Sequence, residues 1–165
     1  MERLRVDAAG LDEARTLLHT CCGSSRWVDR MIARRPFGSR EGLQAAARDE
    51  WFALTAADWM EAFRHHPKIG DVQSLRERFA DTSHLALQEQ AGVAEASEDV
   101  LAALATANDE YEKTFGYIFI VCASGLTADQ MLASLRARLG NDPWSELRVA
   151  AEEQAKITAL RLNKL

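Results

Sequence analysis

Apolar residues recur at three- and four-residue steps along most of this chain, the signature of amphipathic helices. The first such pattern covers Leu11 to Cys21 and stops at Gly23. Ser24 or Ser25 can cap a second helix, which carries Trp27 and Met31 and ends before Pro36. Ser39 opens a third, through Leu43, Ala46 and Trp51. Thr55 and Asp58 have capping-box spacing ahead of a fourth, with Trp59, Met60 and Phe63 on one face.

From His66 to about Ala80 the pattern breaks, with a turn at Gly70-Asp71 and a short helix expected over Leu75 to Phe79 after Ser74. A second short helix is expected from His84 to Ala91, ending at Gly92. Ser97 begins the longest regular run, in which Val100, Leu101, Leu104, Ala107 and Tyr111 share a face until Gly116 stops it. Tyr117 to Ala123 is apolar without alternation and has no second run to pair with. It reads as a buried extended segment or as helix continued across the core. Thr127 and Gln130 form another capping-box pair before a helix ending near Gly140, and Asp142-Pro143 starts the last helix. That helix carries Leu147, Ala150, Ala151, Gln154, Ile157, Leu160 and Arg161. No repeat or linker interrupts the 165 residues, so the expectation is one all-α domain over residues 1–165, of roughly eight helices.

Composition narrows the function classes. A 47% apolar content supplies a core, and a net charge of -5 without a basic block argues against nucleic acid as a partner. No stretch approaches 18 apolar residues, and Met1-Glu2-Arg3-Leu4-Arg5 is too polar for an export signal. Cys21, Cys22 and Cys122 make neither a disulfide framework nor a four-ligand metal set. A reduced, cytoplasmic protein without membrane association is expected.

The chemistry centres on His65-His66-Pro67-Lys68-Ile69-Gly70. Pro67 cannot donate a backbone N–H and pushes His66 off α geometry. A ring at such a break can act as a general acid or base near neutrality, or simply interact with the last carbonyls of its helix. Adjacent histidines diverge and no His-x-x-x-His pair supports them, so no metal is expected. His19 reads as a packed or surface side chain. Glu89 and Gln90 could be a solvated helical face or, beside small Ala86, Ala91 and Gly92, a polar contact for a ligand. Arg136, Arg138 and Arg148 read as surface residues. Arg161, set among Ile157, Leu160 and Leu162, either clamps a carboxylate or pairs with Glu110, Glu152 or Glu153.

Taken in order, these residues resemble a known family. The shared set is Cys22-Gly23-Ser24 with Trp27, Arg35-Pro36-Phe37, Asp58-Trp59, Phe63 and His66-Pro67-Lys68-Ile69-Gly70. It continues through Glu89-Gln90-Ala91-Gly92, Asn108 to Tyr111, Phe115-Gly116-Tyr117, Phe119-Ile120, and Glu153 through Ile157 to Arg161-Leu162. Across nearly its whole length the chain resembles 2-oxo-4-hydroxy-4-carboxy-5-ureidoimidazoline (OHCU) decarboxylase, which forms (S)-allantoin in urate degradation.

The resemblance implies a cofactor-free, all-α enzyme, usually a homodimer, acting on a small anionic ureidoimidazoline. It implies His66 and Glu89 as catalytic residues, with Pro67, Ala86, Gln90 and Arg161 binding substrate. The irregular segment Phe119, Ile120, Val121, Cys122 and Ala123 would offer backbone contacts near the active site. One departure stands out: the family's Ser-x-x-Glu-Gln has Ala86 in place of the serine here, which removes one hydroxyl contact. That departure keeps open a second reading, a non-catalytic helical ligand-binding or interaction module.

Overall fold

The computed structural model describes residues 2–67 and 98–165. Among them are eight α-helices and no β-strand: α1 (Arg5–Ala8), α2 (Leu11–Cys21), α3 (Ser25–Ala33), α4 (Arg40–Phe52), α5 (Ala56–Arg64), α6 (Glu98–Phe115), α7 (Ala128–Leu139) and α8 (Pro143–Leu162). The expected all-α class is what forms. The two short helices expected between His66 and Gly92 lie outside the described residues.

The helix starts follow the capping chemistry. Ser24 accepts a hydrogen bond from the Trp27 backbone N–H and Ser39 from that of Gly42. Thr55 with Asp58 and Thr127 with Gln130 each close a full capping box. At α8 the Asp142 carboxylate accepts from the backbone N–H and hydroxyl of Ser145. Those bonds hold the Asp142 carboxyl below its ordinary value. Gly116 ends α6 at φ +84, a left-handed conformation that glycine adopts without steric cost. The final helix, 20 residues long, exceeds the 18 of α6, which was expected to be the longest. The single turn α1 is too short to leave a periodic trace.

Two compact units make up the chain. The first contains residues up to His66 together with Leu147 to Leu165. Its core holds Leu18, Trp27, Met31, Leu43, Phe63, Ala150, Ala151 and Leu162. Three indoles tie its helices together: Trp27 Nε1 donates to the Ala47 carbonyl at 3.1 Å, Trp51 Nε1 to Ala151 at 2.9 Å, and Trp59 Nε1 to Trp51 at 2.9 Å. Each buried ring gains apolar contact without leaving its one donor unmet.

Buried Asp7 anchors the loop between α3 and α4. Its carboxylate accepts from the backbone N–H of Phe37 at 2.9 and 3.1 Å and of Gly38 at 3.0 Å. Nearby, Arg35 Nη2 donates to the Ala9 carbonyl at 2.6 Å. Replacing Asp7 with alanine strips two backbone donors of a buried, charged acceptor. The expected cost is about 1.5–3 kcal/mol, read as a lowered urea midpoint at unchanged slope.

The second unit spans Pro67 to Glu146. Within it α6 and α7 pack through Leu101, Leu104, Tyr111, Met131 and Leu135. Tyr117 to Ala123 follows Gly116 as irregular backbone, neither helix nor strand, with Tyr117 and Ile120 buried. The helix that its composition also allowed does not form there.

Candidate active site

Helix α5 ends at Arg64, and its C-cap is His65. The His65 and His66 backbone N–H groups bond back to Ala62 and Phe63 at 3.2 Å each, closing the last turn before Pro67. The two histidines then part. The exposed His65 ring packs edge-on against His19, centroids 5.0 Å apart. It also covers Gly23 so closely that a Cβ there would lie 2.5 Å from the His65 ring. Gly23 therefore does more than stop a helix, because only glycine leaves room for that ring.

His66 is half-buried and takes the other direction. Its Nε2 lies 2.5 Å from Gln154 Oε1 on α8. Gln154 is 1% exposed, and its Nε2 donates to Thr158 Oγ1 at 3.0 Å. Thr158 in turn sits beside the Cys22 thiol, where it acts to lower that group's pKa against the larger effect of burial. A polar file thus runs from the histidine into the core of this unit. The sequence pattern places Gln154 on the last helix without a role, although a lone amide in the stripe of Leu147, Ala150 and Ala151 is the available signal.

Arg161 lies on the same face of α8, seven residues or roughly 10 Å beyond Gln154. Its Nη1 is 3.5 and 3.4 Å from the Thr20 and Cys21 carbonyls. A cation is favoured at those carbonyls, which terminate α2. Pairing with Glu152 or Glu153 is not what forms, since Arg48 takes Glu152 and Lys156 takes Glu153. The guanidinium keeps its place through backbone oxygens instead.

Burial dominates the neighbouring thiols. It raises Cys21 above its ordinary value and pushes Cys22 up to about 12. Raised folded-state affinity for the proton means that the protonated Cys22 thiol contributes stability fully below about pH 9, the ordinary thiol value. That contribution is lost as pH climbs from there toward 12. A Cys22→Ala variant should lack this part of the alkaline decline in urea midpoint. In native protein at pH 8, iodoacetamide should label the half-buried Cys122 before Cys21 or Cys22.

The second unit holds Phe119, Ile120, Val121, Cys122 and Ala123, and here Arg138 departs from its expected surface position. It is 7% exposed, and its Nε and Nη2 bind the fully buried Glu146 carboxylate at 2.7 to 3.0 Å. Its Nη1 donates to the Ile120 carbonyl at 2.7 Å, and its guanidinium stacks 4.4 Å from the Phe119 ring centre. Tyr111 Oη and Asn141 Nδ2 donate to the same carboxylate. Burial, then the bond to Glu146, raises the Tyr111 hydroxyl far above its ordinary value, so it stays a donor. The missed signal was helical phase: Arg138 follows Met131 and Leu135 on the apolar face of α7.

Glu89, Gln90 and Ala86 lie outside the described residues. Among the described residues, no group of three or more His, Cys, Asp or Glu side chains could hold a metal ion. No described helix is long and apolar enough to cross a membrane.

The fold and these side chains define an all-α protein with a histidine at a helix break and an arginine on the long C-terminal helix. Residues 7–163 match the family model described as OHCU decarboxylase, and the chain belongs to that family. It is 43% identical over 148 residues to the uric acid degradation bifunctional protein TTL of Arabidopsis thaliana, covering 88% of this chain and 45% of that protein. The chain therefore spans less than half of that relative's length. It is 30% identical over 131 residues to the 2-oxo-4-hydroxy-4-carboxy-5-ureidoimidazoline decarboxylase of Amia calva, covering 79% of this chain and 74% of that one. A crystal structure of OHCU decarboxylase in the presence of (S)-allantoin superposes with a TM-score of 0.71 at 39% identity, over 88% of this chain and 94% of that chain.

Proposed function

We propose that this chain decarboxylates 2-oxo-4-hydroxy-4-carboxy-5-ureidoimidazoline to (S)-allantoin, as one domain over residues 1–165. The observation that carries the reading is the placement of His66. In a member of this family, the histidine of the His-Pro-Lys-Ile-Gly segment is anchored to the face of α8 that also bears Arg161.

The chemistry suits these groups. The ring carbon that loses CO2 bears a hydroxyl and adjoins a C=N bond. As the C–C bond breaks, its electron pair forms a C=C bond and moves the C=N pair onto nitrogen, which takes up a proton. The substrate supplies its own electron sink, so no cofactor or metal is required. His66 orients the hydroxyl and accepts its proton as the C=O forms. Protonation of the neighbouring carbon on one face then sets the S configuration.

Glu89 engages the ureido and ring N–H groups and acts with His66 in catalysis. Gln90, Pro67 and the backbone of Phe119 to Ala123 complete the contacts. Ala86 lacks the hydroxyl of the usual serine and removes one hydrogen bond without removing the acid–base group. Arg161 orients the anionic substrate. Too tight a clamp on its carboxylate would stabilise the ground state and oppose CO2 loss. A cytoplasmic homodimer belongs to the same reading, with the buried Cys21 and Cys22 thiols suited to a reducing compartment.

A crystal structure with (S)-allantoin tests the pocket. The product is expected within hydrogen-bond reach of His66 and Arg161. Density placing it away from both would remove the site assignment.

A further inference from the structure

We infer that Gln154 is a positioning residue for His66, holding its imidazole as the Nε2–H tautomer so that Nδ1 is the proton-accepting nitrogen. The inference deepens the decarboxylase reading and, for its catalytic consequence, rests on it.

The argument starts from a buried amide. At 1% exposure, Gln154 cannot turn to water for partners, so both ends of its side chain must be satisfied by protein. One end meets Thr158 Oγ1 at 3.0 Å and the other meets His66 Nε2 at 2.5 Å. The amide is oriented with its Nε2 donating to Thr158 Oγ1 and its Oε1 facing His66 Nε2.

A carbonyl oxygen has no proton to give. The hydrogen shared with His66 therefore resides on Nε2, and in the neutral ring the lone pair lies on Nδ1. When Nδ1 takes up a proton the Nε2–H bond to Gln154 persists, so the ring keeps its orientation through the proton-transfer cycle. Position reinforces chemistry. Gln154 and Thr158 are one turn apart on α8, and Arg161 follows on the same stripe. One helix face would then set both the tautomer of the base and the place of the cation.

The test is a long-range proton–nitrogen correlation spectrum of ring-labelled protein, with the His66 signals assigned by their loss in His66→Asn. At a pH where the ring is neutral, His66 Nε2 is expected at a protonated, pyrrole-type shift and Nδ1 at a pyridine-type shift. Gln154→Glu, which keeps an acceptor oxygen, should preserve that pattern. Gln154→Met should lose it and reduce kcat on the order of 10²-fold with KM nearly unchanged. A pyridine-type Nε2 in the wild-type protein would overturn the inference, and that result does not need the Gln154 variants to fold. So would a Gln154→Met protein with wild-type ring shifts. Wild-type protein with the expected shifts but no turnover would instead count against the decarboxylase reading alone.

Discussion

Replacing His66 with asparagine is expected to lower kcat for (S)-allantoin formation by about 10²- to 10⁴-fold, the range that a positioned acid–base group contributes. The fold should survive, because His66 sits half-buried at the end of α5 and the core beneath it is built by Phe63 and Trp59. Its removal leaves Gln154 needing one new partner, a cost of about 1–3 kcal/mol at most. Asparagine can reach part of that way and keeps the site polar. Circular dichroism should therefore match wild type and the urea midpoint fall only modestly while turnover collapses. An H66N protein with full turnover would transfer the acid–base role to another group.

The second large effect concerns stability. Arg138→Met should cost about 3–5 kcal/mol, because it strands the Glu146 carboxylate, wholly shielded from water, with Tyr111 and Asn141 as its remaining donors among the described residues. It also frees the Ile120 carbonyl and removes the cation from the Phe119 ring. A companion replacement separates the charge from the packing. Arg138→Met with Glu146→Leu removes both buried charges and should recover part of the loss, as uncharged isosteres of buried pairs commonly do. Urea unfolding of the single and double variants checks this. A single variant within about 0.5 kcal/mol of wild type would mean that water reaches Glu146 after all.

Local signals carried most of the fold. Ser24, Ser39, Thr55 and Thr127 mark helix starts because each side chain answers an otherwise unmet backbone N–H, a rule that needs no knowledge of the rest of the chain. Gly116 and the Asp142-Pro143 pair mark boundaries for equally local reasons. What escaped depends on partners distant in sequence. Asp7 meets the N–H groups of Phe37 and Gly38, and Gln154 meets His66 across 88 positions. Gly23 owes its role to the ring of His65, not to the helix that it follows.

The arginines show the same limit from both sides. Arg138 reads as a surface residue when charge alone is weighed, yet its phase with Met131 and Leu135 puts it in the interior. Arg161 was picked out by its apolar neighbours, but the acids near it in sequence are engaged by Arg48 and Lys156. For the candidate site, family resemblance proposes residues that spacing alone does not distinguish. His66 stood out by itself at a helix break before proline, whereas Phe119 to Ala123 was only an apolar stretch without a partner strand.

The central claim, that this chain turns over OHCU, is tested most directly by rapid mixing of the protein with freshly generated substrate while circular dichroism follows allantoin. Micromolar protein should accelerate the reaction well beyond spontaneous decay and yield the S enantiomer alone. Decay at the spontaneous rate to racemic product would contradict it and leave a ligand-binding module as the better account.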